Sequence, residues 1–321
     1  MWKRFFKQTE SGIIIGVLIM IVLFSILDWD RVTSVLTIRN LTRTSAILGF
    51  LAVGEALLIL NREIDLSVGS VYGIVGITFV TLAGNLGVPL AILVALLLAV
   101  GIGLLNGVIV IWGRLPSMIV TLGGLYFYRG VIYVWTGGTV NSLDEAGRNH
   151  WLTQLFGSNW LLGLENSFWW FVLVVIVLSL VLRRARYGNH LFAIGGDPES
   201  AKTRGVNVNR VKLISFILCS FLAGLGGVMT LANDPNTHVT IGQDLELQAI
   251  AAAVIGGVSL LGGRGSIIGP ALGAFFLTAV RSEMIALGAP PSWYISFVGV
   301  FLVVAVIVNT VIQRRFAWQT A

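Results

Sequence analysis

Charge is scarce in this chain: only 11% of its 321 residues are charged, against about 25% in ordinary soluble domains. That scarcity excludes an ordinary soluble domain. The lone cysteine, Cys219, rules out an intramolecular disulfide and reads as packing inside an apolar run, so the redox compartment is left open. Three histidines, His150, His190 and His238, fall on separate predicted loops, which suggests neither a metal cluster nor a nucleophilic triad. A phosphate-cradling G-x-x-x-x-G-K-S/T loop is missing as well. The nearest approach, Gly262-Gly263-Arg264-Gly265, lacks the lysine and the hydroxyl that follows it. ATP, if it drives this protein, must therefore be bound by another chain. The net charge of +6 does not imply nucleic-acid binding, because the basic residues sit between apolar runs and not on a solvated patch with interleaved aromatics. No catalytic set, cofactor, metal site or nucleic-acid partner is expected, and no internal repeat stands out.

What is abundant is apolar sequence, 56% of the chain. Runs of roughly 17 to 25 residues recur throughout, each long enough to cross the roughly 30 Å hydrocarbon core as a helix. Ten spans are predicted: Gly12–Leu27, Leu41–Leu60, Leu66–Ala83, Val88–Trp112, Pro116–Trp135, Trp160–Leu182, Val211–Ala232, Leu245–Leu261, Ile267–Leu287 and Trp293–Ile312. The first run follows Lys3, Arg4 and Lys7 in the manner of a signal peptide. However, Ser25-Ile26-Leu27-Asp28-Trp29 offers no small-residue cleavage site, so it reads as a retained helix. Basic residues near span ends stay in the cytoplasm. With the N-terminus inside, that side collects Lys3, Arg4, Lys7, Arg62, Arg114, Arg264, Arg314, Arg315 and the cluster Arg183, Arg184, Arg186, Lys202, Arg204, Arg210, Lys212. The expectation is an all-α, polytopic helix bundle forming one integral-membrane domain over residues 1–321, with both termini cytoplasmic. Glycines at Gly69 and Gly73, at Gly103 and Gly107, and at Gly265, Gly269 and Gly273 have the small-xxx-small spacing that lets helices approach closely in lipid.

Two loops are long. The outer one, from Thr136 to about Asn159, suggests a small structured cap. The inner one, Arg183 to Lys212, contains Gly195-Gly196-Asp197-Pro198-Glu199-Ser200-Ala201-Lys202-Thr203-Arg204-Gly205. Asp197 suits the N-cap, Pro198 the first helical position and Gly205 the left-handed residue that ends a helix. This is a short rigid knob fit to transmit force from a soluble partner; an ordinary solvated loop is the plainer alternative. A second motif, Glu63-Ile64-Asp65-Leu66-Ser67-Val68-Gly69-Ser70, breaks two apolar runs with carboxylates and a hydroxyl. Polar, non-helical backbone at membrane depth is tolerated where protein covers it or where it lines a wet cavity. A translocation path and a tight turn capped by Asp65 or Ser67 are both consistent with it.

EIDLSVGS, then YGNHLFAIGGDPESAKTRGVNVNRVK, then ELQAIAAAVIGGVSLLGGRGSIIG together resemble the permease subunit of ribose-type ABC importers. The resemblance runs from about Leu36 to Val308. It implies that Gly195, Gly196, Asp197, Pro198, Glu199, Ala201, Arg204, Gly205, Val206 and Asn207 form the coupling helix and its flanks, docking into an ABC ATP-binding subunit. It also implies a second permease subunit, identical or a sister, a periplasmic sugar-binding protein, a bacterial inner-membrane location in contact with lipid, and a sugar substrate. The sugar is one of ribose, xylose, rhamnose, galactofuranose or autoinducer-2. This chain departs from the family at Glu55, where relatives carry an uncharged residue, and near Asn61 and Arg62, where they carry small ones.

Inside the spans, Glu55 and Arg129 each cost about 2.5 to 3.5 kcal/mol at a helix centre on insertion scales. Either they snorkel to the interface or they line the path with Asp65, Ser67, Gly69, Asn106 and Tyr126; Tyr128 is a further candidate. The alternative function is an ion-coupled secondary transporter of a small polar solute, with an intramembrane carboxylate carrying the ion.

Overall fold

The computed structural model describes residues 10–139, 142–159, 161–233 and 238–317, with backbone alone for 308–317. Lys3, Arg4 and Lys7 of the orientation argument lie outside the described residues, as does Trp160 at the start of a predicted span.

Among the described residues fifteen α-helices follow one another and no β-strand forms; one isolated bridge joins Asn159 to Glu165. In chain order they are α1 (Ser11–Leu27), α2 (Trp29–Val32), α3 (Val35–Leu60), α4 (Val68–Leu86), α5 (Val88–Gly113), α6 (Ser117–Thr136), α7 (Glu145–Asn149) and α8 (Trp151–Gly157). They continue as α9 (Asn166–Arg184), α10 (Arg186–Gly196), α11 (Pro198–Thr203), α12 (Val208–Asn233), α13 (Leu245–Ile255), α14 (Ile268–Ala286) and α15 (Pro291–Ala317). Seven of these, α3, α4, α5, α6, α9, α12 and α14, are long and apolar enough to cross a membrane.

Every predicted span coincides with a helix, but α1, α13 and the described part of α15 fall short of the length of those seven, and one segment needs correcting. The segment Leu245–Leu261 is helical only to Ile255. Its 11 residues reach about 16 Å at 1.5 Å per residue, roughly half the hydrocarbon core. Gly256-Gly257 ends it, Gly257 turning at φ +92°, and the chain folds back to start α14. The outer loop carries the expected cap: Asp144 accepts the Gly147 N–H at 2.8 Å to start α7, and His150 Nδ1 accepts the Leu152 N–H at 3.2 Å to start α8. His190 sits on α10 and not in a loop.

The core is built around α3 and α12. From Leu48 to Leu60 α3 is enclosed on all sides, as expected of a helix with no polar stripe, and α12 packs against α3, α4 and α5. Glycine makes the crossings close. A methyl group at Gly103 of α5 would stand 2.6 Å from the Phe216 carbonyl oxygen of α12, and one at Gly107 2.8 Å from Leu213. Such contacts let helix backbones recover dispersion energy that lipid-facing apolar side chains do not gain. Helix α6 is mostly open, presenting Leu122, Phe127 and Val134 outward.

Candidate functional site

The motif around Asp197 folds as a capped helix. The Asp197 carboxylate accepts the N–H groups of Glu199 and Ser200, both at 2.9 Å. The Ser200 N–H, followed by that of Glu199 and by the Arg62 charge, holds this exposed carboxyl below the usual carboxylate range. Pro198 opens α11, which spans six residues and ends at Thr203. Gly205 takes φ +84°, a conformation that costs an L side chain roughly 1–2 kcal/mol. Its N–H reaches the Lys202 carbonyl at 2.9 Å, and the Val206 N–H reaches the Ala201 carbonyl at 3.1 Å. Asn207 Oδ1 accepts the Arg210 N–H at 3.0 Å and so helps start α12. Ala201 faces inward, whereas Glu199 and Arg204 stand exposed. The segment thus offers a charged tip on a fixed backbone.

How that tip is anchored was not visible in the sequence. Gly195 packs against the last turn of α3 and the Gly262–Gly263 turn so tightly that no side chain fits there. The Gly263 N–H donates to the Leu60 carbonyl at 3.0 Å. Arg62, which lies just past α3 at φ +68°, donates from Nε to the Gly195 carbonyl at 2.9 Å and from Nη2 to the Gly196 carbonyl. The neighbouring Glu63 forms an ion pair with Lys212 of α12. Asn61 Nδ2 donates to Ser215 Oγ of α12 at 2.8 Å, and the same Oγ shares a hydrogen bond with the Tyr187 hydroxyl of α10 at 2.7 Å. Residues 61–63 therefore tie both flanks of α11 to α3. The charge of Arg62 at a span end was legible; its partners, more than 130 positions away, were not.

The same loop continues into a buried polar network. Asp65 Oδ1 accepts the Ser67 N–H at 2.8 Å and the Ser67 hydroxyl at 2.5 Å. Asn106 Nδ2 of α5 donates to Ser67 Oγ at 3.0 Å, and the Tyr128 hydroxyl of α6 donates to Asn106 Oδ1 at 2.8 Å. The Leu66 N–H reaches Thr121 Oγ1 of α6 at 3.0 Å. Glu55 lies at one end, its Oε2 3.4 Å from the Asp65 N–H and its Oε1 3.9 Å from Cys219 Sγ. Its exposure is 0%, so it does not snorkel.

Among the residues expected on a path, Glu55, Asp65, Ser67 and Asn106 are thus brought together, with Tyr128 added. Gly69 and Arg129 belong to a second locus. Gly69 packs against Gly242 and Glu246, while Arg129 Nη1 donates to the Ile241 carbonyl at 2.7 Å and to that of Val239 at 3.3 Å. Tyr126 stands apart on the open face of α6, 69% exposed. None of these residues lines a separate cavity of the bundle, which is bordered by the first half of α3 and the end of α12. Among the described residues no group of three or more His, Cys, Asp or Glu side chains is placed to hold a metal.

Comparison with known proteins follows the same segments. Residues 37–306 match the family described as branched-chain amino acid transport system / permease component. The autoinducer 2 import system permease protein LsrC of Escherichia coli O157:H7 is 34% identical over 310 residues, covering 96% of this chain and 88% of that protein. The protein of the same name from Salmonella typhi is 32% identical over 309 residues, covering 96% and 87%. That from Photorhabdus luminescens is 31% identical over 310 residues, covering 96% and 91%. No solved structure matches the chain. This chain therefore belongs to the branched-chain amino acid transport system / permease component family, and the resemblance to ribose-type ABC importer permeases drawn from its sequence holds.

Proposed function

We propose that this protein is the membrane-spanning subunit of an ATP-driven, binding-protein-dependent importer of a small sugar, with furanosyl compounds of the autoinducer-2 class as the leading substrates. The substrate class comes from the names of its relatives. The mechanism comes from the chain itself. The single observation that carries it is the tie between α11 and α3 through Arg62.

In this reading α11 docks into a separate ATP-hydrolysing subunit, with Glu199 and Arg204 at the contact. Nucleotide closure displaces α11, and the displacement reaches residues 61–63 through Gly195, Gly196 and the Glu63–Lys212 pair. From there it enters the Asp65–Ser67–Asn106–Tyr128 network, which spans α5 and α6. Hydrogen-bonded groups that are fully paired in low dielectric resist partial displacement, so the network moves as a unit and reorients α6 against its neighbours. Access alternates as two permease subunits, identical or sister chains, rock together beneath a periplasmic sugar-binding protein. Ten crossings with cytoplasmic termini suit this arrangement, α1 and α15 crossing at the edges and the short α13, with the non-helical residues beside it, making up one crossing.

The enclosed carboxylates Glu55 and Asp65 favour one other reading, coupling to an ion gradient. Reconstitution in proteoliposomes with the companion ATPase and binding protein separates the two. Import of labelled sugar should require both companions and ATP, and should survive a protonophore. Import by the purified chain alone, or its collapse with the proton gradient while ATP lasts, would refute the proposal.

A further inference from the structure

The cavity bordered by α3 and α12 is distinct from the α11 segment and from the buried network. Its volume is about 470 Å³, within the roughly 300–1,000 Å³ of small-molecule pockets. The first half of α3, the end of α12 and the facing parts of α13 and α14 enclose it, with Glu165 and Ser167 at the start of α9. Its wall presents Thr44, Ser167, Thr230, Asn233, Gln248 and Ser282.

One buried polar atom beside that wall has no hydrogen-bond partner. Ser167 is 3% exposed, and its Oγ makes no hydrogen bond. Arg43 Nε makes no hydrogen bond but is ion-paired with Glu165 Oε1 at 3.7 Å. Buried polar atoms are ordinarily satisfied, so the orphan Ser167 hydroxyl beside this cavity marks a position for a hydroxyl group supplied from outside the chain. Two of the three charged side chains on the wall offset each other. Glu165 faces Arg43 and accepts from Asn233 Nδ2 at 2.5 Å, and Arg281 lies over the Tyr294 ring at 5.3 Å. Amide and hydroxyl groups on one side, with Leu48, Met229 and Leu245 on the other, suit a ligand whose hydroxyls both donate and accept and whose C–H faces are apolar.

We propose that this cavity is a binding site, inside a single protomer, for a small polyhydroxylated molecule entering from the outer side. Its substrate class and sidedness rest on the import reading above.

Thr44→Cys and Ser282→Cys variants test it in whole cells expressing the complete transporter, with Thr139→Cys on the outer loop as control. The native cysteine is buried and silent. A membrane-impermeant thiol reagent is added outside, with D-ribose, D-xylose or L-rhamnose as competing probe. The two wall positions should be labelled, and one of the sugars should slow their labelling about tenfold at ten times its Kd without affecting the control. Ser167→Ala in the Thr44→Cys background should weaken that protection. Labelling that no sugar slows, while the same cells still import sugar, overturns the site and leaves the import reading standing. Protection by a short-chain phospholipid but by no sugar, or failure of the reagent to reach either position, overturns it too. Protection without any ATP-driven import would keep the site and sink the import reading.

Discussion

Replacing Arg62 by alanine and, separately, by glycine isolates the tie between the coupling segment and α3. Both substitutions remove two hydrogen bonds to the Gly195 and Gly196 carbonyls. At a largely exposed position each is worth about 1 kcal/mol net, so the docked hairpin loses about 2 kcal/mol and its undocked population rises about 30-fold. The backbone at residue 62 is left-handed, φ +68°, which costs a non-glycine residue about 1 kcal/mol that glycine does not pay. Arg62→Gly should therefore be milder than Arg62→Ala by about fivefold. Hydrogen exchange across residues 195–205 reads the docking directly, and ATPase activity stimulated by the binding protein in proteoliposomes reads its consequence. The spans should keep their melting temperature, because no core contact is removed. Exchange that is equally slow in both variants, or an Arg62→Gly more damaging than Arg62→Ala, would refute the reasoning.

Gly205→Val forces a β-branched residue into φ +84°, at a cost of about 1–2 kcal/mol or more; copurification with the ATPase subunit should fall while the helical signal of the spans is retained. Tyr128→Phe strips the donor from Asn106 Oδ1 and leaves a buried acceptor unpaired, which should destabilise the bundle by about 1–3 kcal/mol, measurable as a lowered thermal midpoint in detergent. Asp197 has a folded pKa below its unfolded value, so its cap is fully present above the unfolded carboxylate pKa, about 3.9, and is lost only as pH falls through the lower folded value. Coupled ATPase activity should show no inflection from this group between about pH 5 and 8; one that vanishes in Asp197→Asn would contradict the assignment.

Sequence alone made the membrane character legible, since composition and the length of apolar runs are local properties and a bilayer tests them segment by segment. It also specified both ends of α11, because an N-cap aspartate, a first-turn proline and a terminal glycine act on backbone groups within a few residues. The gathering of Glu55, Asp65, Ser67 and Asn106 was anticipated only as a set of polar residues in apolar runs. Their mutual hydrogen bonds depend on how α3, α5 and α6 meet. Likewise the short α13 looked like a full span, because apolar residues continue past the glycines that end it. Arg62 shows the limit most clearly. Its charge read as a topology marker, and its role as the clasp on Gly195 and Gly196 was decided by the tertiary structure alone, since hydrogen bonds between segments more than 130 positions apart leave no periodic trace in the chain that forms them.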